Sequence, residues 1–148
     1  MLFRLSASTT NCRPEMESIP LSDAKPRVLN VGQCDFDHGN IGRLLSEEFG
    51  ARVDRAATSD EAIRSIQGGG YSLVLVNRVF DVDGAQGLDL IKRMRADEKL
   101  ADVPVMLVSN FADAQEAAVA LGARPGFGKD ALTNRQTRAR LGSILGCR

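Results

Sequence analysis

Short apolar runs alternate along this chain with longer segments in which apolar residues return every three or four positions. Val28–Val31 is the first such run and reads as a strand. After it, Ile41, Leu44, Leu45 and Phe49 fall on one face of a helix that Asp37 would cap and Gly50 would stop. Arg52–Ala56 is a weaker second strand, and Thr58-Ser-Asp-Glu61 is a capping box opening a helix through Gln67. Gly68-Gly69-Gly70 ends that helix, and Tyr71–Asn77 is the third strand. Asp83-Gly84 and Gly87 mark a turn before a helix over Gln86–Arg95, with Leu88, Ile91 and Met94 inward. Val103–Val108 is a fourth strand and Phe111–Leu121 an Ala-rich helix closed by Gly122. Arg124–Gly128 is a short fifth strand, and Thr133-Asn-Arg-Gln136 is a second capping box for a last helix with Thr137, Leu141, Ile144 and Leu145 inward.

The order is strand then helix, repeated, with short links. That alternation predicts a parallel sheet covered by helices on both faces through right-handed crossovers. The expected fold is therefore a single-domain α/β, flavodoxin-like, doubly wound five-stranded parallel sheet in the order 2-1-3-4-5. In such sheets the ligand crevice lies beyond the carboxyl ends of the strands. The most apolar strand ends there at Asn77, an amide that carries no charge.

Composition narrows the reading. The chain has 148 residues, 43% hydrophobic and 26% charged, which suits one globular domain. Its formal net charge is zero, which argues against a nucleic-acid footprint and against a polybasic membrane surface. No apolar stretch approaches the length of a membrane span. Residues 1–26 are rich in Ser, Thr and Pro, lack periodicity and read as a flexible tail, leaving 27–148 as the domain. Cys12, Cys34 and Cys147 form no CxxC pair, so a reduced, cytoplasmic setting is expected. His38 is the single histidine, too few for a zinc site, and reads as a solvent-exposed or capping-region residue. No P-loop or GxGxxG motif is present.

With these elements placed, the chain resembles the receiver domain of bacterial response regulators from about Arg27 to Leu145. Val103-Pro-Val-Met-Leu-Val-Ser109 is close to the fourth-strand text of that family, and Asp83-Gly84…Gly87-Leu-Asp-Leu-Ile-Lys-Arg-Met-Arg95 resembles the segment after the acceptor. The resemblance implies a phospho-acceptor position at Asn77, an acidic pair at Gly32 and Gln33, a hydroxyl at Ser109 and a lysine at Lys129. The family carries Asp at the acceptor and carboxylates at the pair; this chain carries an amide, a glycine and a glutamine. The family's aromatic switch position reads Gly126, and Phe127 is expected to point to the other side of the strand.

Phosphoryl transfer needs an oxygen nucleophile and a metal that neutralises the phosphoryl oxygens. Mg2+ binds hard oxygen ligands, usually through one or two carboxylates. None stands at the three matched positions, so acceptor and metal site are expected to be lost together, and no cofactor is expected. The alternative is a displaced acidic set drawn from Asp35, Asp37, Asp81 and Asp83, which would keep the chain an active phosphotransfer receiver. Against it, Asp37 suits a helix cap and Asp83-Gly84 a turn. Ser109 reads either as a cap for the following helix or as an anion contact. Lys129 reads either as a solvated loop lysine or as a donor to the Asn77 side-chain oxygen.

The expected function is therefore that of a stand-alone receiver-like domain in two-component phosphorelay signalling, a pseudo-receiver acting through protein–protein contact. No acid/base pair or nucleophile–base couple points to an enzyme. The resemblance places the contact on the 111–148 face, toward a protein partner or a second copy. That face includes the basic run Arg135, Arg138 and Arg140, whose ordinary reading is a solvated helix face.

Overall fold

The computed structural model describes residues 25–146. The expected tail falls almost wholly outside them, as do Cys12 and Cys147. Five strands alternate with five helices: β1 (Arg27–Val31), α1 (Asp35–Phe49), β2 (Arg52–Ala56), α2 (Ser59–Gln67), β3 (Leu73–Asn77), α3 (Gly87–Ala96), β4 (Val105–Val108), α4 (Ala112–Ala120), β5 (Arg124–Phe127) and α5 (Arg135–Leu145). The strands are parallel in the order β2-β1-β3-β4-β5, as the alternation predicts.

Alternate strand residues feed two cores. Leu29, Val31, Val74, Val76, Val105 and Leu107 pack with Ile66 of α2, Leu90, Ile91 and Met94 of α3, and Ala118 of α4. Val28, Leu73, Leu75, Met106, Val108 and Phe127 pack with Ile41 and Leu45 of α1 and Leu141 of α5. Every residue of β3 and β4 is buried, which explains their unbroken apolar text. Leu90 is fully buried whereas Leu88 is only partly so, an inward position that the helical period missed.

Caps decide the remaining differences. Thr58 behaves as expected: its Oγ1 accepts the Glu61 N–H at 3.2 Å, and Glu61 Oε1 reaches back to the Ala57 N–H at 2.8 Å. Asp37 does not cap α1. The helix starts at Asp35, with Cys34 as N-cap and no side-chain bond to the backbone there, so Asp37 lies within the first turn. At α5 the cap is Asn134 rather than Thr133, its Oδ1 accepting the Gln136 N–H at 2.8 Å.

Candidate functional site

The carboxyl ends of β1, β3, β4 and β5 bring Gly32, Asn77, Ser109 and Lys129 to one end of the sheet. Between β3, β4 and the segment after β5 lies a cleft of about 230 Å3, lined by Asn77, Arg78, Val79, Val108, Ser109, Asn110, Phe111 and Lys129. Gly32 and Gln33 line a neighbouring hollow instead, together with Asp35, Arg55, Glu61 and Asp81. The matched positions therefore gather at one edge but divide between two depressions.

Asn77 is 8% exposed. Its Nδ2 donates to the carbonyl of Gly32 at 3.0 Å and to that of Val79 at 2.7 Å. Both amide hydrogens are thus used, and they fix the start of the loop after β3. A carboxylate in the same pose would set one oxygen, in place of Nδ2, against two carbonyl oxygens. The amide is the side chain that the local backbone accepts.

Gly32 has φ +79°, and a Cβ there would lie 2.3 Å from the buried Phe80 ring. The left-handed backbone and the ring together exclude any side chain without rearrangement. Gln33 is 3% exposed, and neither its Oε1 nor its Nε2 has a hydrogen-bond partner. The residues at these three positions do not fit Mg2+: one has no side chain, one is a buried amide and one points its donors at carbonyls.

Lys129 does not reach Asn77. Its Nζ pairs with Asp37 Oδ2 at 2.7 Å, with the two side chains 30% and 20% exposed. The same carboxylate oxygen accepts Cys34 Sγ at 3.4 Å. The cause is the early start of α1, which turns Asp37 toward the segment after β5 instead of onto the helix end. Ser109 does not cap α4, whose N-cap is Phe111; its side chain acts one step earlier, in the turn that leads to the helix. Its Oγ accepts the Phe111 N–H at 3.1 Å and shapes the approach to α4. Phe111, the N-cap of α4, makes no side-chain cap bond.

Of the displaced acidic candidates, Asp35 and Asp81 line the same hollow beside Gly32. Asp35 pairs with Arg55 at 2.7 Å, Asp37 with Lys129, and Asp83 Oδ1 accepts the Ala85 N–H at 3.0 Å in a turn. Among the described residues no group of three or more His, Cys, Asp and Glu side chains is placed to hold a metal ion.

Two contacts had no signal in the sequence. The Arg78 guanidinium lies 4.7 Å from the centre of the Phe111 ring, across the mouth of the cleft. His38 is half-buried, with Nδ1 3.1 Å from Asn30 Nδ2 beneath α1. Burial lowers the His38 pKa, the Arg55 charge lowers it further, and Asp35 opposes them.

No family model matches the sequence. Solved structures do. A candidate response regulator from Chloroflexus aurantiacus aligns with TM-score 0.67 at 21% identity, over 82% of this chain and 98% of that one. A two-component response regulator from Clostridium difficile aligns with TM-score 0.65 at 21% identity, over 82% and 96%. The signal receiver domain of a DNA-binding response regulator from Colwellia psychrerythraea aligns with TM-score 0.63 at 19% identity, over 79% and 98%. The strand order, the four crossovers and these alignments agree: the fold of this chain is that of the response-regulator receiver domains.

Proposed function

We propose that this chain is a receiver-type domain of two-component signalling that is not phosphorylated conventionally and that works by binding a protein. The observation that carries the reading is Asn77, with both amide hydrogens committed to backbone carbonyls. A position so occupied offers no nucleophile and holds no cation. Lys129, tied to Asp37, is also spent locally. The alternative, phosphotransfer through displaced aspartates, finds Asp35, Asp37 and Asp83 engaged in separate places.

The docking surface is the 111–148 face, toward a protein partner or a second copy. Its basic run is mostly used inside the molecule. Arg138 Nε lies 3.6 Å from Glu48 Oε1, and Arg140 Nη1 donates to the Gly126 carbonyl. Recognition then falls on the exposed apolar side chains of this face, Phe111 and Val119, and on the exposed Arg135 at the start of α5. The test is capture from the native host with the full chain, repeated with Val119→Asp. The expected result is one partner, or self-association, that the variant loses. A chain that stays monomeric and recovers no partner overturns the reading, as does capture that the variant leaves unchanged.

A further inference from the structure

One side chain of α4 spans the junction of the last two strands. Gln115 Nε2 donates to the Leu107 carbonyl at 2.9 Å and the Ser109 carbonyl at 3.1 Å, with the Phe127 carbonyl at 3.4 Å. Its Oε1 accepts the Gly126 N–H at 3.1 Å. This is where the strand ladder breaks. Met106 pairs with Arg124 but Val108 pairs with Phe127, so β5 carries one residue more than β4 over the same span.

A bulge leaves backbone groups without ladder partners, and here side chains take them. The Gly126 N–H goes to Gln115 of α4, and the Gly126 carbonyl goes to Arg140 of α5 at 2.5 Å. A Cβ at residue 126 would lie 2.1 Å from the Leu107 carbonyl oxygen, so only glycine allows this approach. Phe127 is 3% exposed and packed on the α1 and α5 side with Val108 and Leu141. It therefore places no ring between α4 and β5.

We infer that Gln115 and Arg140, gripping Gly126 from two helices, hold the α4–β5–α5 face in a single conformation that does not follow changes in the crevice. Moving α4 along β5 would unmake the Gln115 bonds together and take from the Ser109 carbonyl and the Gly126 N–H the partners that Gln115 gives them. The consequence for signalling rests on the docking face proposed above: binding there would be constitutive, set by the amount of chain and partner. The clamp itself is tested without any partner.

The experiment is amide exchange and relaxation-dispersion NMR on the full chain. Wild type is expected to show a protected Gly126 amide and no microsecond-to-millisecond exchange along α4, β5 and α5. Gln115→Met, which keeps the length of the side chain, is expected to speed Gly126 exchange roughly tenfold or more while Leu29 stays protected. Arg140→Met frees the Gly126 carbonyl with α4 untouched and should do the same if the first variant folds poorly. Lys129→Met disturbs the crevice and should leave Gly126 protection unchanged. Two-state exchange along this face in wild type overturns the inference. So does unchanged Gly126 protection in both clamp variants, or loss of that protection in Lys129→Met. A preserved clamp with no partner captured would leave the inference standing and sink only the docking proposal.

Discussion

Asn77 holds its position by donating. Replacing it with Asp removes two donors and sets a charge against the Gly32 and Val79 carbonyls. Asn77→Asp is therefore expected to lower stability by about 1–3 kcal/mol, read by urea unfolding. It should also fail to bring back Mg2+-dependent labelling, because Gly32 and Gln33 supply no carboxylate; labelling of the single variant would refute this. The positions of Asn77, Ser109 and Lys129 were legible because strand ends are legible. The Lys129–Asp37 pair was not, since it depends on where α1 begins and Cys34 gives no capping signal. Charge removal by Asp37→Asn is expected to cost about 1 kcal/mol, within the range of partly exposed pairs. His38 adds a pH dependence. Its folded pKa lies below 6.5, so the unfolded chain takes the proton first as pH falls. Stability should thus be full above about pH 6.5 and decline as pH drops through the lowered folded value. His38→Gln should flatten the unfolding free energy over that window; an unchanged slope would contradict the assignment.

Among the elements, those with a strong local signal were read nearly as they fold. The α2 capping box and the apolar text of β3 and β4 are examples, with ends displaced by one or two residues. Such ends fray and carry little information. β5 was harder, because its text, Arg-Pro-Gly-Phe, has no strand period. Its place is set by Gln115, Arg140 and the Leu107 carbonyl, contacts that no local pattern announces. Two glycines measure the difference between contact and propensity. Gly126→Ala drives a methyl into the Leu107 carbonyl oxygen and is expected to cost more than about 2 kcal/mol. Gly142→Ala, inside α5 with only Phe49 Cε1 3.7 Å away, is expected to stabilise by about 0.5–1 kcal/mol. Thermal unfolding of the two variants side by side checks both signs.

As a whole the molecule carries a receiver-type sheet between two cores, with Asn77, Ser109 and Lys129 at the carboxyl end of its strands. Among the described residues no helix is long and apolar enough to cross a membrane. The large exposed apolar side chains lie off the basic helix: Phe36 in the first turn of α1, Val82 in the loop after β3, Phe111 at the entry to α4 and Val119 within α4. The fold was readable from alternation alone, whereas the spending of Arg138 and Arg140 inside the molecule was not, because solvated and paired arginines share one text. The central claim is that no carboxylate remains where a receiver would hold its cation and take its phosphoryl group. Its most direct test is the intact mass of the wild-type chain after incubation with acetyl phosphate and Mg2+. An unmodified mass is expected at every Mg2+ concentration. A hydroxylamine-sensitive gain of one phosphoryl group, lost on replacing Asp35 or Asp37, would contradict it.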